Sequence, residues 1–396
     1  MIQRIARGVS IALRSGAAPL FVGARLAGRR ADAETRGVPD APWSLALASK
    51  IALDEIFYAT ELASVAVVPL REGRRVADEV EQALDLFEQR GWLADPRRYH
   101  RKPPAIARAK LGPGRFPGLA YRQMRFESGY EPHPGEPGRE RWLGYEANRT
   151  AHAWILQHRG RPRPWLVCIP GYRMGSPLVD FTAFRARWLH KGLGMNVAIP
   201  VMPLHGPRRA GRRGGDGYFA GDFVDTLHAL AQALWDVRRL VGWIQDEGAP
   251  AVGLYGVSLG GYTTALVASF ADDLDCAIAG IPATDFMRLV RSHVPKVVLR
   301  GAEMVGLSVE RLERLLSVVS PFSFRPRLAR RRRFLYAGVR DRLAPPDHAR
   351  DLWRHWEEPR IGWYPGGHVS FLWEPAVKSF LLEALRDAEL LPAERP

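Results

Sequence analysis

Apolar and polar positions along the chain follow two different spacings. Between residues 43 and 92 the apolar residues recur at helical spacing, as Val76, Val80 and Leu84 do within RVADEVEQALDLFEQRGW. This spacing places them on one face of a helix. From about residue 120, short apolar and β-branched runs alternate with helical segments. Such alternation is typical of a mostly parallel sheet with helices on both faces, so the pattern predicts an α/β fold behind a helical region.

Eight runs have the composition of strands in that sheet. They are, in chain order, RQMRFESGY, RTAHAWILQH, PWLVCIP, GMNVAIPVM, AVGLYG, CAIAGIP, RFLYAGV and RIGWYP. We therefore expect a basic N-terminal segment over residues 1–40, a helical region over 41–118 and an α/β domain over 119–396. Residues 283–330 interrupt the alternation with apolar helical sequence. We expect a helical lid there, and an additional pair of packing helices is the alternative.

The stretch YGVSLGGY surrounds Ser258 with glycines, at Gly256 and Gly260 on either side. Taken alone, such a stretch is also consistent with an ordinary glycine-rich bend. Its context is more specific, because a predicted strand precedes it and a predicted helix follows it. A serine nucleophile on a sharp strand-to-helix turn needs this order, with small residues where backbone approaches backbone. The pattern predicts that Ser258 projects from the carboxyl edge of the sheet.

A serine hydroxyl becomes a good nucleophile only when a base removes its proton. In this layout an acid and then a histidine follow later in the chain, each after a strand. Asp341 follows the strand RFLYAGV, and His368 follows the strand RIGWYP. We therefore predict a Ser258, Asp341 and His368 triad. Asp285, after an earlier strand, is the alternative acid.

Acyl transfer also requires hydrogen-bond donors for the oxyanion that forms on the attacked carbonyl. The backbone N–H of Leu259, directly after the serine, is one candidate. The second is the N–H of Tyr172 in the Pro170-Gly171-Tyr172 loop that follows PWLVCIP. A plain strand-to-helix turn is the alternative interpretation of that loop.

These residues together resemble the α/β-hydrolase superfamily over about residues 120–390. The carrying motifs are the GVSLG turn, Asp341, His368 and the Pro170-Gly171-Tyr172 loop. The chain is most similar to the dienelactone-hydrolase and prolyl-oligopeptidase-like branch, and loosely to lipase-like abhydrolase-domain proteins. Many relatives have His-Gly where this chain has Pro170-Gly171, a difference that bears on the second oxyanion donor.

The resemblance implies a serine hydrolase that forms an acyl-enzyme on a small acyl substrate and needs neither cofactor nor metal. A carboxylic-ester hydrolase is the favoured function, acting on lipid-like or anionic esters. A peptidase or acyltransferase with the same triad is the alternative. A non-catalytic binding protein on this fold is a third interpretation, which the filled triad positions disfavour.

The chain carries a formal net charge of +15, and most of its cations are arginines. Because the arginines are spread along the whole chain and no nucleic-acid-binding module is visible, we do not expect a nucleic-acid partner. The loop PLHGPRRAGRRGGDGYFAGD is predicted at the same sheet edge as Ser258. His205, Arg208 and Arg209 in this loop are candidate contacts for an anionic substrate group, and a solvated basic loop is the alternative.

The first residues, MIQRIARGVSIALRSGAAPL, have the spacing of a short basic amphipathic helix. Such a helix either lies on an anionic membrane surface or packs on its own domain. The expected location is the cytoplasm, with peripheral membrane contact as an option. The two cysteines, Cys168 and Cys276, sit in apolar runs and are expected to be buried thiols. The sequence does not indicate an oligomeric state.

Overall fold

A nine-stranded sheet forms the centre of the protein in a computed structural model, which describes residues 37–64, 70–271, 273–294 and 296–392. The strands lie in the order β1-β2-β3-β5-β4-β6-β7-β8-β9. Their bounds are β1 Lys110–Phe116, β2 Leu119–Glu127, β3 Thr150–Leu156, β4 Trp165–Ile169, β5 Asn196–Pro200, β6 Val252–Val257, β7 Cys276–Gly280, β8 Arg333–Gly338 and β9 Arg360–Tyr364. All eight predicted strands are present.

The sheet is antiparallel at one end and parallel through the rest. β1, β2, β3 and β5 pair antiparallel in that order, whereas each neighbouring pair in the row β5-β4-β6-β7-β8-β9 is parallel. Every residue of β4 to β8 is buried, as expected for parallel strands covered on both faces. Because β6 to β9 are parallel, the carboxyl ends of β6, β8 and β9 meet at one edge of the sheet. Cys168 and Cys276 are buried free thiols in β4 and β7, as predicted.

Helices cover both faces and the carboxyl edge of the sheet. Their bounds are α1 Leu45–Ser64, α2 Leu70–Gln89, α3 Arg139–Leu143, α4 Pro177–Ala183, α5 Phe223–Asp246, α6 Leu259–Val267, α7 Phe286–His293, α8 Lys296–Met304, α9 Val309–Leu316, α10 Pro346–His355 and α11 Pro375–Asp387. α5 and α6 share a core with one face, while α11 packs in a second core on the other. Within the part of the chain that the structure describes, every helix is too short or too polar to span a bilayer.

One part of the sequence prediction needs adjustment. Residues 110–116, assigned to the helical region, form edge strand β1 and pair with β2 along its whole length. The proline and two glycines of KLGPGRF hide the strand in the sequence, although an edge strand tolerates them. Residues 283–330 are helical as expected, with α9 packed against α2, and their function as a lid stays a prediction. The predicted basic helix at the N-terminus lies outside the described residues.

The turn between β6 and α6 is packed so closely that only glycine fits at two positions. A Cβ on Gly260 would lie 1.9 Å from the carbonyl oxygen of Ile169, at the end of β4. A Cβ on Gly256 would lie 2.0 Å from the carbonyl oxygen of Gly260. Because backbone atoms make both contacts, a side chain there cannot be accommodated by a rotamer change. The helix is therefore seated directly on the ends of two neighbouring strands.

Gly260→Ala should lower the free energy of unfolding by about 1–3 kcal/mol, because the added methyl group forces the backbone apart. Gly242→Ala is the matched control, since Gly242 lies inside α5 and a methyl group added there would meet no atom within 4 Å. It should leave stability unchanged or raise it by about 0.5–1 kcal/mol. Urea unfolding of both variants measures the difference. Equal stability of the Gly260→Ala variant and the unsubstituted protein would contradict this packing.

Candidate active site

Ser258 occupies a strained backbone conformation between β6 and α6. Its φ of 57° and ψ of −117° are rare for a residue with a side chain. Backbone hydrogen bonds hold it there, with its N–H donating to Gly280 O (2.9 Å) and its carbonyl accepting from Tyr262 N (3.0 Å). The side chain is half-buried. The serine thus has the local geometry that the sequence predicted for the turn.

The structure brings Asp341 and His368 together. Asp341 follows β8, His368 follows β9, and His368 Nδ1 lies 2.6 Å from Asp341 Oδ2. The other carboxylate oxygen, Oδ1, accepts from the N–H groups of Leu343 (2.9 Å) and Ala344 (2.8 Å). An ionised carboxylate only accepts hydrogen bonds, so Nδ1 carries the proton of this pair. The neutral ring consequently presents Nε2 as its basic nitrogen.

The surroundings of His368 raise the pKa of its imidazole. Burial lowers the pKa, but the charge and hydrogen bond of Asp341 and the charge of Asp54 outweigh that effect. A raised pKa makes the ring a stronger base than an ordinary histidine. Among the hydrogen bonds of the described residues, none joins the Ser258 hydroxyl to this ring. Such bonds often tighten only when substrate is bound.

Asp54, on α1, is the site residue that the sequence did not reveal. Its carboxylate accepts from the backbone N–H groups of His368 (2.7 Å), Val369 (2.9 Å) and Arg342 (3.1 Å). One signal was present, because Asp54 and Glu55 share a helix face with the apolar residues Leu47 and Ile51. Two carboxylates on the apolar face of a helix require partners, and here those partners belong to the loops after β8 and β9.

The Pro170-Gly171-Tyr172 loop lies directly against Ser258. A Cβ on Gly171 would be 3.3 Å from Ser258 Cβ and 3.1 Å from the carbonyl oxygen of Val257. Leu259 is the first residue of α6, where a backbone N–H has no acceptor within the helix. The loop and the helix N-terminus therefore flank the serine from two sides.

No family model matches the chain. Two relatives are the uncharacterized proteins MT2702 and Rv2627c from two strains of Mycobacterium tuberculosis. Each is 39% identical to this chain over 360 residues, a span that covers 90% of this chain and 86% of the relative. The chain belongs to the same family as these two proteins.

Two solved structures are similar to this chain in fold. Acetyl xylan esterase from Paenibacillus sp. R4 has a TM-score of 0.54 at 18% identity, over 76% of this chain and 93% of its own. Acetyl Xylan Esterase 1 from Thermoanaerobacterium sp. JW/SL YS485 has a TM-score of 0.52 at 14% identity, over 82% and 99%. Both are α/β hydrolases. The chain has the α/β-hydrolase fold. At such low identity the likeness is one of fold, and the chemistry has to be argued from this site.

Asp285, the alternative acid, serves a different element. Its side chain accepts from the backbone N–H of Arg288 (2.9 Å) and caps the N-terminus of α7. It also forms an ion pair with the Arg288 guanidinium at 3.4 Å. His368 bonds to Asp341 and not to Asp285. Of the two candidate acids, Asp341 is therefore the one in contact with the histidine.

The prediction that Arg208 contacts a substrate anion is wrong. Arg208 is only 1% exposed, and its guanidinium pairs with Asp236 (2.8 Å) while donating to the carbonyl oxygen of Val201 (2.9 Å). His205 is also buried, and burial lowers the pKa of its ring to about 4, so it is neutral at physiological pH. Only Arg209 of the three is exposed. The sequence showed the charges of this loop but not their burial.

In residues 37–64, 70–271, 273–294 and 296–392, no group of three His, Cys, Asp or Glu side chains lies close enough together to hold a metal ion.

Arg208→Ala should lower the free energy of unfolding by about 3–5 kcal/mol, because it leaves the Asp236 carboxylate buried without its partner. Arg209→Ala, one residue on and exposed, is the control and should stay within about 0.5 kcal/mol of the unsubstituted protein. Chemical denaturation measures both values. A neutral Arg208→Ala variant would show that this arginine is not a structural ion-pair residue.

Proposed function

We propose that the protein is a serine hydrolase that cleaves carboxylic esters, with Ser258 as nucleophile, His368 as base and Asp341 as the orienting acid. The observation that carries the proposal is the 2.6 Å contact between His368 Nδ1 and Asp341. It lies at the same sheet edge as a serine in a strained strand-to-helix turn. A histidine with its Nδ1 proton committed to a carboxylate is ready to accept a proton at Nε2.

In the first step, Nε2 of His368 takes the hydroxyl proton of Ser258 as the oxygen attacks the ester carbonyl. The imidazolium that forms is stabilised by Asp341, which keeps its own charge. When the tetrahedral intermediate collapses, the same proton passes to the leaving alcohol and the acyl group stays on Ser258. Water then attacks the acyl-enzyme with His368 again acting as base, and the carboxylic acid is released.

The oxyanion of each tetrahedral intermediate would accept hydrogen bonds from the backbone N–H groups of Leu259 and Tyr172. The position of Leu259 at the start of α6 supports this, because the N-terminus of a helix favours negative charge. The contact of Gly171 with Ser258 supports the second donor. Backbone donors are fixed before the reaction begins, so they need no rearrangement as charge develops.

Aromatic side chains near the serine favour an apolar substrate group. Tyr172 of the oxyanion loop contacts Phe219 (ring centroids 5.1 Å apart), which in turn contacts Phe286 of α7 (5.1 Å). The backbone links this row to Ser258, whose carbonyl accepts from Ala283 N at 3.3 Å. With Arg208 and His205 buried, these rings, which include Phe219 of the same loop, are better placed than those two side chains to select a substrate. We therefore infer an ester with an apolar acyl or alcohol group.

A panel of p-nitrophenyl esters of rising acyl chain length, with aminoacyl p-nitroanilides beside it, tests the reaction class. We expect ester cleavage, and a fall in kcat of about 10⁴-fold or more in Ser258→Ala, since the nucleophile is lost. Ser323→Ala, an exposed serine in the segment before β8, is the control and should keep full activity. Cleavage of anilides alone would indicate a peptidase, and activity retained by Ser258→Ala would refute this mechanism.

A further inference from the structure

We propose that Asp54 of α1 is a positioning residue whose carboxylate fixes the positions of His368 and Asp341 relative to each other. The same carboxylate adds a second negative charge beside the imidazole. The effect of Asp54 on catalysis rests on the proposed function. Its hydrogen bonds to the loops after β8 and β9 do not depend on that function. We call residues 339–345 the acid loop and residues 365–370 the histidine loop.

A single carboxylate joins the two loops. Asp54 Oδ2 accepts from His368 N (2.7 Å) and from Arg342 N (3.1 Å), while Oδ1 accepts from Val369 N (2.9 Å). Arg342 directly follows Asp341 in the acid loop. The carboxylate therefore bonds to the histidine's own amide and to the amide next to the acid. Its position sets how far apart the two side chains can lie.

The contact is built to fit a carboxylate. Asp54 is fully buried, at 0% exposure, so its charge requires the three N–H donors. A Cβ on Gly367 would lie 2.4 Å from Asp54 Oδ2, so the histidine loop has a glycine where the carboxylate approaches. α1 is anchored there because Leu47 and Ile51 pack with Val339 of the acid loop. The packing of the apolar face of α1 thus places Asp54 beside the two loops.

The charged and titratable groups around Asp54 come from α1, the end of β9, the two loops and the residue before α11. They are Lys50 and Glu55 on α1, Tyr364 of β9, Asp341 and Arg342 of the acid loop, His368 of the histidine loop, and Glu374. Lys50 is occupied by the carbonyl of Pro365 and by Glu374, and Glu55 pairs with Arg342 (2.9 Å). Two carboxylates, those of Asp341 and Asp54, consequently act on the imidazole of His368.

Burial, followed by repulsion from Asp341, raises the pKa of Asp54 to about 6. Above that pH the ionised carboxylate helps to raise the pKa of His368. The same charge would stabilise the imidazolium that forms during attack. Removing it should therefore lower the pKa of the imidazole, so the acid limb of the rate profile should move to lower pH.

Asp54→Asn removes the negative charge and one acceptor oxygen of the side chain while keeping its size. The amide has nearly the shape of the carboxylate, but its NH₂ end cannot accept, so at least one of the three N–H donors loses its acceptor. We expect kcat/KM on the best ester to fall about 10- to 100-fold and the acid limb to shift down. Asp78→Asn makes the same chemical change at an exposed position of α2, and should change neither quantity.

An NMR titration of the histidine rings in the full chain decides the proposal whether or not the protein hydrolyses esters. The pKa of His368 should fall in Asp54→Asn and stay unchanged in Asp78→Asn. An unchanged pKa in a folded Asp54→Asn variant would overturn the proposal. If the wild type cleaves no substrate, the proposed function fails, and this titration still decides the role of Asp54.

The wild-type protein provides a second measurement should Asp54→Asn not fold. The amide resonances of His368 and Val369 should shift together near pH 6, because their shared acceptor becomes protonated there. Amides that do not respond to pH in this range would show that the carboxylate does not hold the histidine loop as described.

Discussion

The close approach of backbone to backbone at the Ser258 turn is the constraint on which the rest of the site depends. Atoms of β4, β6 and α6 come so near one another that Gly256 and Gly260 leave no space for a methyl group. At this closely packed turn the helix begins immediately after the serine, and the serine has a strained φ of 57°. Because β7, β8 and β9 continue the parallel sheet from β6, their loops reach the same edge.

Helix α1 contributes contacts to this site. The hydrogen bond from His368 N to Asp54 joins residues 314 positions apart in the chain. Arg340 of the acid loop also pairs with Asp40 (2.7 Å), just before α1. Asp341 and His368 follow the last two strands, while Asp40 and Asp54 contact the loops that carry them. The candidate site therefore combines segments from opposite ends of the described chain.

Hydrophobic spacing and turn chemistry were sufficient to predict the parallel sheet and the placement of Ser258, Asp341 and His368 at its carboxyl edge. Hydrophobic spacing and turn residues can be recognised within short segments, and the positions of the acid and the histidine follow from the order of the strands. The sequence could not show that Arg208 is buried, because its partner Asp236 lies 28 residues away on α5. The contacts of Asp54 were hidden for the same reason, since they join segments far apart in the chain. β1 was hidden for a different reason, because its glycines and proline are unusual in a strand.

Mass spectrometry after treatment with a fluorophosphonate tests the central claim, that Ser258 is an activated nucleophile, most directly. The probe reacts at an electrophilic phosphorus, so no knowledge of the natural substrate is needed. Peptide mapping should find one phosphonyl group, attached to Ser258 in the peptide that contains YGVSLGGY. An unmodified protein, or a modification at another residue with Ser258 unchanged, would contradict the mechanism.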